Sequence, residues 1–194
     1  MKIILASHNP GKIKEFNNAF KNINLISAST LNIGDVPETG LTYVENAIIK
    51  ARHCAKHCNH PCIADDSGLE VDALGLEPGV FSARYAGEEK NNQNNINKML
   101  TQLQGISKDQ RTARFRCVLV FMRNAQDPSP IITEGTWNGF ILEQPYGEHG
   151  FGYDPIFWSP ENKCSAAEIT PEEKSRISHR AQAISLMAER LNLD

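Results

Sequence analysis

The chain has 194 residues, of which 40% are hydrophobic and 22% are charged, and its formal net charge is −3. This length suits a single domain with a sizeable core, and the near-neutral charge argues against a protein that coats nucleic acid, which would carry a basic stripe. No apolar run reaches the ~20 residues that span a bilayer, so we expect no membrane segment.

The chain begins with an apolar run, residues 2–6, that predicts a buried strand. The run turns polar too soon for a signal peptide, which needs ~7–15 apolar residues, so we expect a cytoplasmic protein. A polar loop follows and leads into apolar residues at helical spacing; it consists of Ser7, His8, Asn9, Pro10, Gly11 and Lys12. Such a helix start suits a phosphate. The loop lacks both the Walker A and the G-x-G-x-x-G pattern, so a strand-to-helix turn without a ligand is the alternative.

A second strand is predicted at residues 25–29, and after it a loop containing Glu38 leads into a long helix from Tyr43 to about Cys58. Thr42 and Glu45 have the spacing of a capping box at the start of this helix. Lys50 lies in the middle of the helix.

Two adjacent carboxylates, Asp65 and Asp66, follow the short apolar run that ends at Ala64. We predict that the strand ends here, beside a bend that Gly68 can provide. Two acids held close together beside a turn are costly unless a cation sits between them. The alternative is a solvated turn in which the aspartate side chains cap backbone amides.

The second half of the chain predicts a helix within residues 88–104 and a clear strand from Arg114 to Phe121. Residues 131–142 predict its partner in an antiparallel hairpin, and a glycine-rich loop with aromatic side chains comes next. The last predicted helix runs from Pro171 to Leu191, with Thr170 as its N-cap. Alternating strands and helices followed by a hairpin predict one α/β domain, residues 1–194, with a mixed sheet.

One ligand would explain three groups of residues. The acids Glu38, Asp65 and Asp66 suit a hard cation such as Mg²⁺. The loop at residues 7–12 and the cations of the helices suit a polyphosphate, and the aromatic loop at 150–154 suits a base. Together they describe a nucleoside triphosphate with its metal.

Five motifs also occur in a familiar order: SHNPGK, ADDSGL, PGVFSARY, GFGYDP and KSRISHR. This series closely resembles the inosine/xanthosine triphosphate pyrophosphatases over nearly the whole chain, although that family more often has Thr-Gly-Asn where this chain has Ser7-His8-Asn9. The resemblance implies an elongated mixed sheet flanked by helices, two lobes with a ligand cleft between them, and a homodimer. It also implies Mg²⁺-dependent hydrolysis of ITP, dITP and XTP to the monophosphate and pyrophosphate.

The resemblance also implies roles for individual residues. Asp66 would be the general base and a metal ligand, Glu38 would be a second acid on the metal, and the role of Asp65 beside them stays open. The triphosphate and sugar would be held by residues 7–12, Lys50, Ser67 and Lys174. The base would be bordered by Phe151, Gly152, Tyr153 and Asp154, and its six-position would be reached by His179 and Arg180.

Two other functions are compatible with these residues: a related pyrophosphatase for other modified or pyrimidine nucleotides, and a nucleotide-binding sensor without turnover. For Lys174 and Arg180 the alternative is the solvated face of the last helix. His53 and His57, like Cys54 and Cys58, have i, i+4 spacing that suits metal ligands. The two pairs lie about 100° apart around the helix, so we interpret them as buried or half-buried thiols with surface histidines, zinc being the alternative. The odd number of cysteines, five, also predicts reduced thiols.

Overall fold

The computed structural model describes residues 2–20 and 23–192. The strands are β1 (Lys2–Leu5), β2 (Asn24–Ser27), β3 (Cys62–Val71), β4 (Thr112–Met122), β5 (Ile131–Ile141), β6 (Phe157–Ser159) and β7 (Cys164–Ser165). The helices are α1 (Pro10–Ala19), α2 (Tyr43–Cys58), α3 (Asn92–Gln102), α4 (Pro171–Ile177) and α5 (His179–Leu191). No helix within these residues combines the length and the apolar character that a bilayer crossing requires.

The strands form one seven-stranded sheet in the order β2-β1-β3-β4-β5-β6-β7. β1 pairs in parallel with β2 and β3, whereas β6 pairs antiparallel with β5 and β7. The predicted α/β class with a mixed sheet is therefore confirmed. The ligand cleft and the single domain over residues 1–194 stay predictions.

The chain divides into two compact units. Unit 1 consists of the described residues up to Asp66, Cys117–Gly135, and the described residues from His179 onward. Its main core joins apolar side chains of β1, α1, β4 and α5, among them Ile3, Phe16, Leu119 and Met187. A second core of unit 1 packs the alanine stripe of α2 against Val118 and Val120 of β4.

Unit 2 consists of Ser67–Arg116 and Thr136–Ser178. Its core is aromatic at the centre: the Phe157 ring lies 4.5 Å from that of Phe115 and 5.2 Å from that of Trp137, measured between centroids. Met99 and Leu103, from the end of α3, belong to the same core.

The predictions for β3 and for the last helix are wrong. β3 does not end at Ala64 and does not bend at Gly68, because it continues as a strand to Val71. The last helix is not continuous either: Ser178 is extended, with φ −66° and ψ 160°, and separates α4 from α5. Gly135 of β5 lies so close to the beginning of α5 that an added Cβ would stand 1.9 Å from the carbonyl oxygen of His179. Within unit 1 this close approach fixes the position of the α5 backbone.

Candidate active site

Asp65 and Asp66 lie inside β3 rather than in a turn, and only 1% and 5% of their respective surfaces are exposed. Consecutive residues of a strand point to opposite faces, so the two carboxylates have different neighbours. The solvated-turn alternative is therefore wrong. Both acids are buried, and cations are their partners.

Asp65 forms ion pairs with cations of two helices. Its Oδ2 lies 2.8 Å from Lys12 Nζ on α1 and 3.4 Å from Arg180 Nη2 on α5. Arg180 also contacts Glu15 of α1. Burial raises the pKa of Asp65, but the charges of Lys12 and Arg180 outweigh it and hold that pKa well below its usual range. Asp65 therefore stays ionised and acts as a counter-ion.

Asp66 points to a second cation, Lys50 of α2. Lys50 Nζ lies 2.7 Å from Asp66 Oδ1 and 2.9 Å from Glu38 Oε1, so both carboxylates converge on one position. Burial raises the pKa of Asp66 above its usual value, although the charge of Lys50 opposes this shift. Burial lowers the pKa of Lys50, but the three surrounding carboxylates dominate and raise it.

Asn46 is a site residue that sequence reasoning missed. It is fully buried on α2, and its Nδ2 donates to Asp66 Oδ2 at 3.5 Å, while its Oδ1 accepts from the Gly40 amide at 2.8 Å. A Cβ on Gly40 would stand 2.8 Å from that same Oδ1, so only glycine allows this approach. Asn46 thus connects the loop that contains Glu38 to Asp66. The capping box next to it marked the start of the helix but gave no sign of this contact.

The predicted loop at residues 7–12 does lead into a helix, but α1 begins within it, at Pro10. Asn9 is the N-cap, with its Oδ1 accepting from the Lys12 amide at 3.1 Å, and Pro10 occupies the first turn. Ser7 Oγ accepts from the Asn9 amide at 3.3 Å. The His8 ring is directed to another loop, where it lies 2.8 Å from the Ile33 carbonyl oxygen.

In unit 2 the glycine-rich loop is held by Asp154. This buried carboxylate accepts from the Phe151 amide at 2.8 Å and pairs with Lys174 Nζ of α4. Lys174 Nζ also lies 5.2 Å from the centroid of the Phe151 ring. A Cβ on Gly150 would stand 2.1 Å from Asp154 Oδ2, so the loop needs glycine there.

The other predicted residues vary in exposure. Tyr153 belongs to the core of unit 2 and donates to the Ser82 carbonyl at 2.8 Å. Ser67 and Gly152 are half-buried, and His179 is buried at the start of α5. Lys174 and Arg180 are 6% and 3% exposed, so the solvated-face alternative is wrong for both.

The prediction of reduced thiols is confirmed, since all five cysteines are free. Cys54 is buried and Cys58 half-buried, as interpreted. Of the histidines near them, His57 is exposed, whereas His53 and His60 are half-buried.

Residues 3–190 match the model of the Ham1 family. The chain belongs to the Ham1 family. A relative in Vibrio cholerae, named dITP/XTP pyrophosphatase, is 51% identical over 94% of this chain and 92% of its own length. A Shigella flexneri protein of the same name is 50% identical, with 98% of both chains covered. The structure of a HAM1 protein from Coxiella burnetii superposes with a TM-score of 0.93 at 44% identity, and all of both chains is covered.

Proposed function

We propose that this Ham1-family protein hydrolyses the non-canonical purine nucleoside triphosphates ITP, dITP and XTP to the monophosphate and pyrophosphate, and so removes them from the nucleotide pool. The names of the relatives support this substrate class. The observation that carries the chemistry is the convergence of Glu38 and Asp66 on one cation position in unit 1.

Glu38 and Asp66 fit a hard divalent cation, because their carboxylate oxygens are the ligands that such a cation prefers. Both carboxylates already contact one positive charge, the ammonium group of Lys50. We propose Mg²⁺ as that cation, with these two residues as its protein ligands. When bound, Mg²⁺ would neutralise phosphate oxygens and favour attack by water.

Asp66 is our proposed general base. Its raised pKa makes it a better proton acceptor than an ordinary carboxylate, and Lys50 and Asn46 hold it in position. Asp65 is unsuited to this task because Lys12 and Arg180 hold its pKa low. Of two neighbouring carboxylates, only Asp66 therefore has the environment of a base.

We propose that the triphosphate and sugar are bound by residues 7–12, Lys50, Ser67 and Lys174. At residues 7–12 the N-terminus of α1 and the charge of Lys12 favour an anion. Phe151, Gly152, Tyr153 and Asp154 are proposed contacts of the base. We propose that His179 or Arg180 donates to the 6-oxo oxygen of hypoxanthine or xanthine, whereas the 6-amino group of adenine, itself a donor, would oppose it.

The test is to incubate the protein with ITP, XTP, GTP, ATP or CTP and Mg²⁺ while assaying pyrophosphate and orthophosphate separately. We expect pyrophosphate from ITP and XTP alone, lost in Asp66→Asn and on chelation of the metal, and retained in Asp109→Asn, which changes an exposed aspartate. Release of orthophosphate, or equal turnover of ATP, would contradict the proposal. Binding of ITP without any pyrophosphate would favour the sensor, and turnover of other modified or pyrimidine nucleotides would favour a related pyrophosphatase.

We also propose that the protein is cytoplasmic, and that it is a homodimer, the latter from the family resemblance alone. Light scattering at micromolar concentration checks the oligomeric state, and a monomeric mass would contradict it.

A further inference from the structure

Three cysteine thiols meet in unit 1, away from the carboxylates described above. Cys54 and Cys58 belong to the last turns of α2, and Cys62 is the first residue of β3. Cys58 Sγ lies 3.5 Å from Cys62 Sγ, and all three sulfur atoms lie within 4.8 Å of one another. The strand therefore adds a third sulfur to a pair that the helix alone brings together.

These distances suit three thiolates around one metal ion. Zn–S bonds of about 2.3 Å in tetrahedral geometry separate the sulfur atoms by about 3.8 Å, so rotamer adjustments of less than about 1 Å would complete the site. A disulfide would instead need sulfur atoms about 2.05 Å apart.

The surroundings of the three thiols are those of a closed site with one open side. Cys54 is 1% exposed and Cys62 fully buried, both packed with apolar side chains such as Ile4 and Ile33. Cys58 is half-buried, which leaves room for a fourth ligand on its side. The His60 carbonyl accepts from both Cys58 and Cys62, at 3.7 and 3.4 Å, and so directs these two protonated thiols toward the same place.

We propose that Cys54, Cys58 and Cys62 bind a single Zn²⁺ ion, with water or another small ligand in the fourth position. Soft thiolates select Zn²⁺ over Mg²⁺, so this site is chemically distinct from the carboxylate site.

The ion would connect two elements that carry the carboxylate site. Cys54 lies one turn after Lys50 on α2, and Cys62 comes three and four residues before Asp65 and Asp66 on β3. A metal that joins the end of this helix to the start of this strand would stabilise the framework of unit 1. Its role is structural, and it is independent of the proposed hydrolysis.

The test uses Co²⁺ as a coloured substitute for Zn²⁺, added to the reduced, metal-free full-length protein. We expect a thiolate-to-cobalt charge-transfer band that saturates at one ion per chain and disappears when Zn²⁺ is added. Cys58→Ser and Cys54→Ala should lose the band, and Zn²⁺ should raise the melting temperature of the wild type but of neither variant. Circular dichroism checks that each variant folds. Cys58 is chosen because its side chain is half-buried, so its replacement disturbs the core less than the replacement of a fully buried cysteine.

Two controls locate the ion. Cys164→Ser changes a half-buried cysteine of unit 2 and should keep the band, and Asp66→Asn should keep it because a carboxylate site gives no thiolate band. The proposal is overturned if the wild type gives no band, if both cluster variants keep it, or if Asp66→Asn loses it. A Cys58–Cys62 disulfide in protein prepared under reductant, detected by mass spectrometry, would overturn it as well.

Discussion

Replacing Asp65 by asparagine removes a negative charge that Lys12 and Arg180 share inside unit 1. Removal of one partner from a buried ion pair costs about 3–5 kcal/mol, because the remaining charge is left uncompensated. Arg180 keeps its contact with Glu15, so we expect the lower part of this range, about 3–4 kcal/mol. For a chain of this length that corresponds to a fall in Tm of about 6–16 °C.

Asp66→Asn is the matched control, one residue further along the same strand. The pKa of Asp66 is higher in the folded state than in the unfolded state. The stability of the fold therefore decreases as the pH rises through the folded-state pKa and Asp66 ionises. Asparagine removes this cost, and Lys50 keeps its contact with Glu38. We expect a smaller loss in the free energy of unfolding than in Asp65→Asn, because burial already disfavours the ionised form of Asp66, while pyrophosphate release falls to background.

Urea unfolding followed by far-ultraviolet circular dichroism, which reports on the helices of both units, measures both variants. Because the pKa of Asp65 is depressed on folding, its contribution is fully present above the unfolded value of about 3.9 and is lost as the pH falls through the folded value. The difference between wild type and Asp65→Asn should therefore be constant between about pH 5 and 8. Equal losses of stability in the two variants, or an unchanged stability of Asp65→Asn, would refute the assignment of Asp65 as the counter-ion and Asp66 as the base.

Two further predictions concern packing and pH. Gly135→Ala should lower the free energy of unfolding by about 1–3 kcal/mol, because the new Cβ would collide with the backbone at the start of α5. Gly34→Ala is the control in the same urea experiment, since a Cβ there would have no atom within 4 Å. Equal losses of stability in the two variants would contradict the prediction. Lys50→Met should move the acidic limb of the pH profile of kcat/KM to higher pH, since the Lys50 charge lowers the pKa of Asp66. Lys56→Met, which changes an exposed residue of the same helix, should leave that limb in place, and an unmoved limb in Lys50→Met would argue against Asp66 as the base.

Helix α2 was predicted to run from Tyr43 to about Cys58, and it does run from Tyr43 to Cys58, because residues next to its ends determine where it starts and stops. Thr42 and Glu45 form the complete capping box that their spacing predicts, and Asn59 ends the helix in a left-handed conformation. The same holds for Thr170, which caps α4 by accepting from the Glu173 amide.

The errors arise where distant residues override local preference. Asp65, Asp66 and Gly68 look like a turn when only neighbours in sequence are considered, but cations from α1, α2 and α5 allow the acids to stay in a strand. The break between α4 and α5 at Ser178 could not be predicted either, because the residues around it favour a helix. It lies next to His179, where β5 and α5 approach each other closely.

The ion pair between Asp65 and Arg180 has a consequence for how the chain is made. The two residues are 115 positions apart, so at typical elongation rates Arg180 leaves the ribosome about 6–23 s after Asp65. During that interval the nascent β3 carries a carboxylate that has Lys12 but not yet its second cation. The ion pair between Asp65 and Arg180 in unit 1 therefore cannot form until α5 has been synthesised.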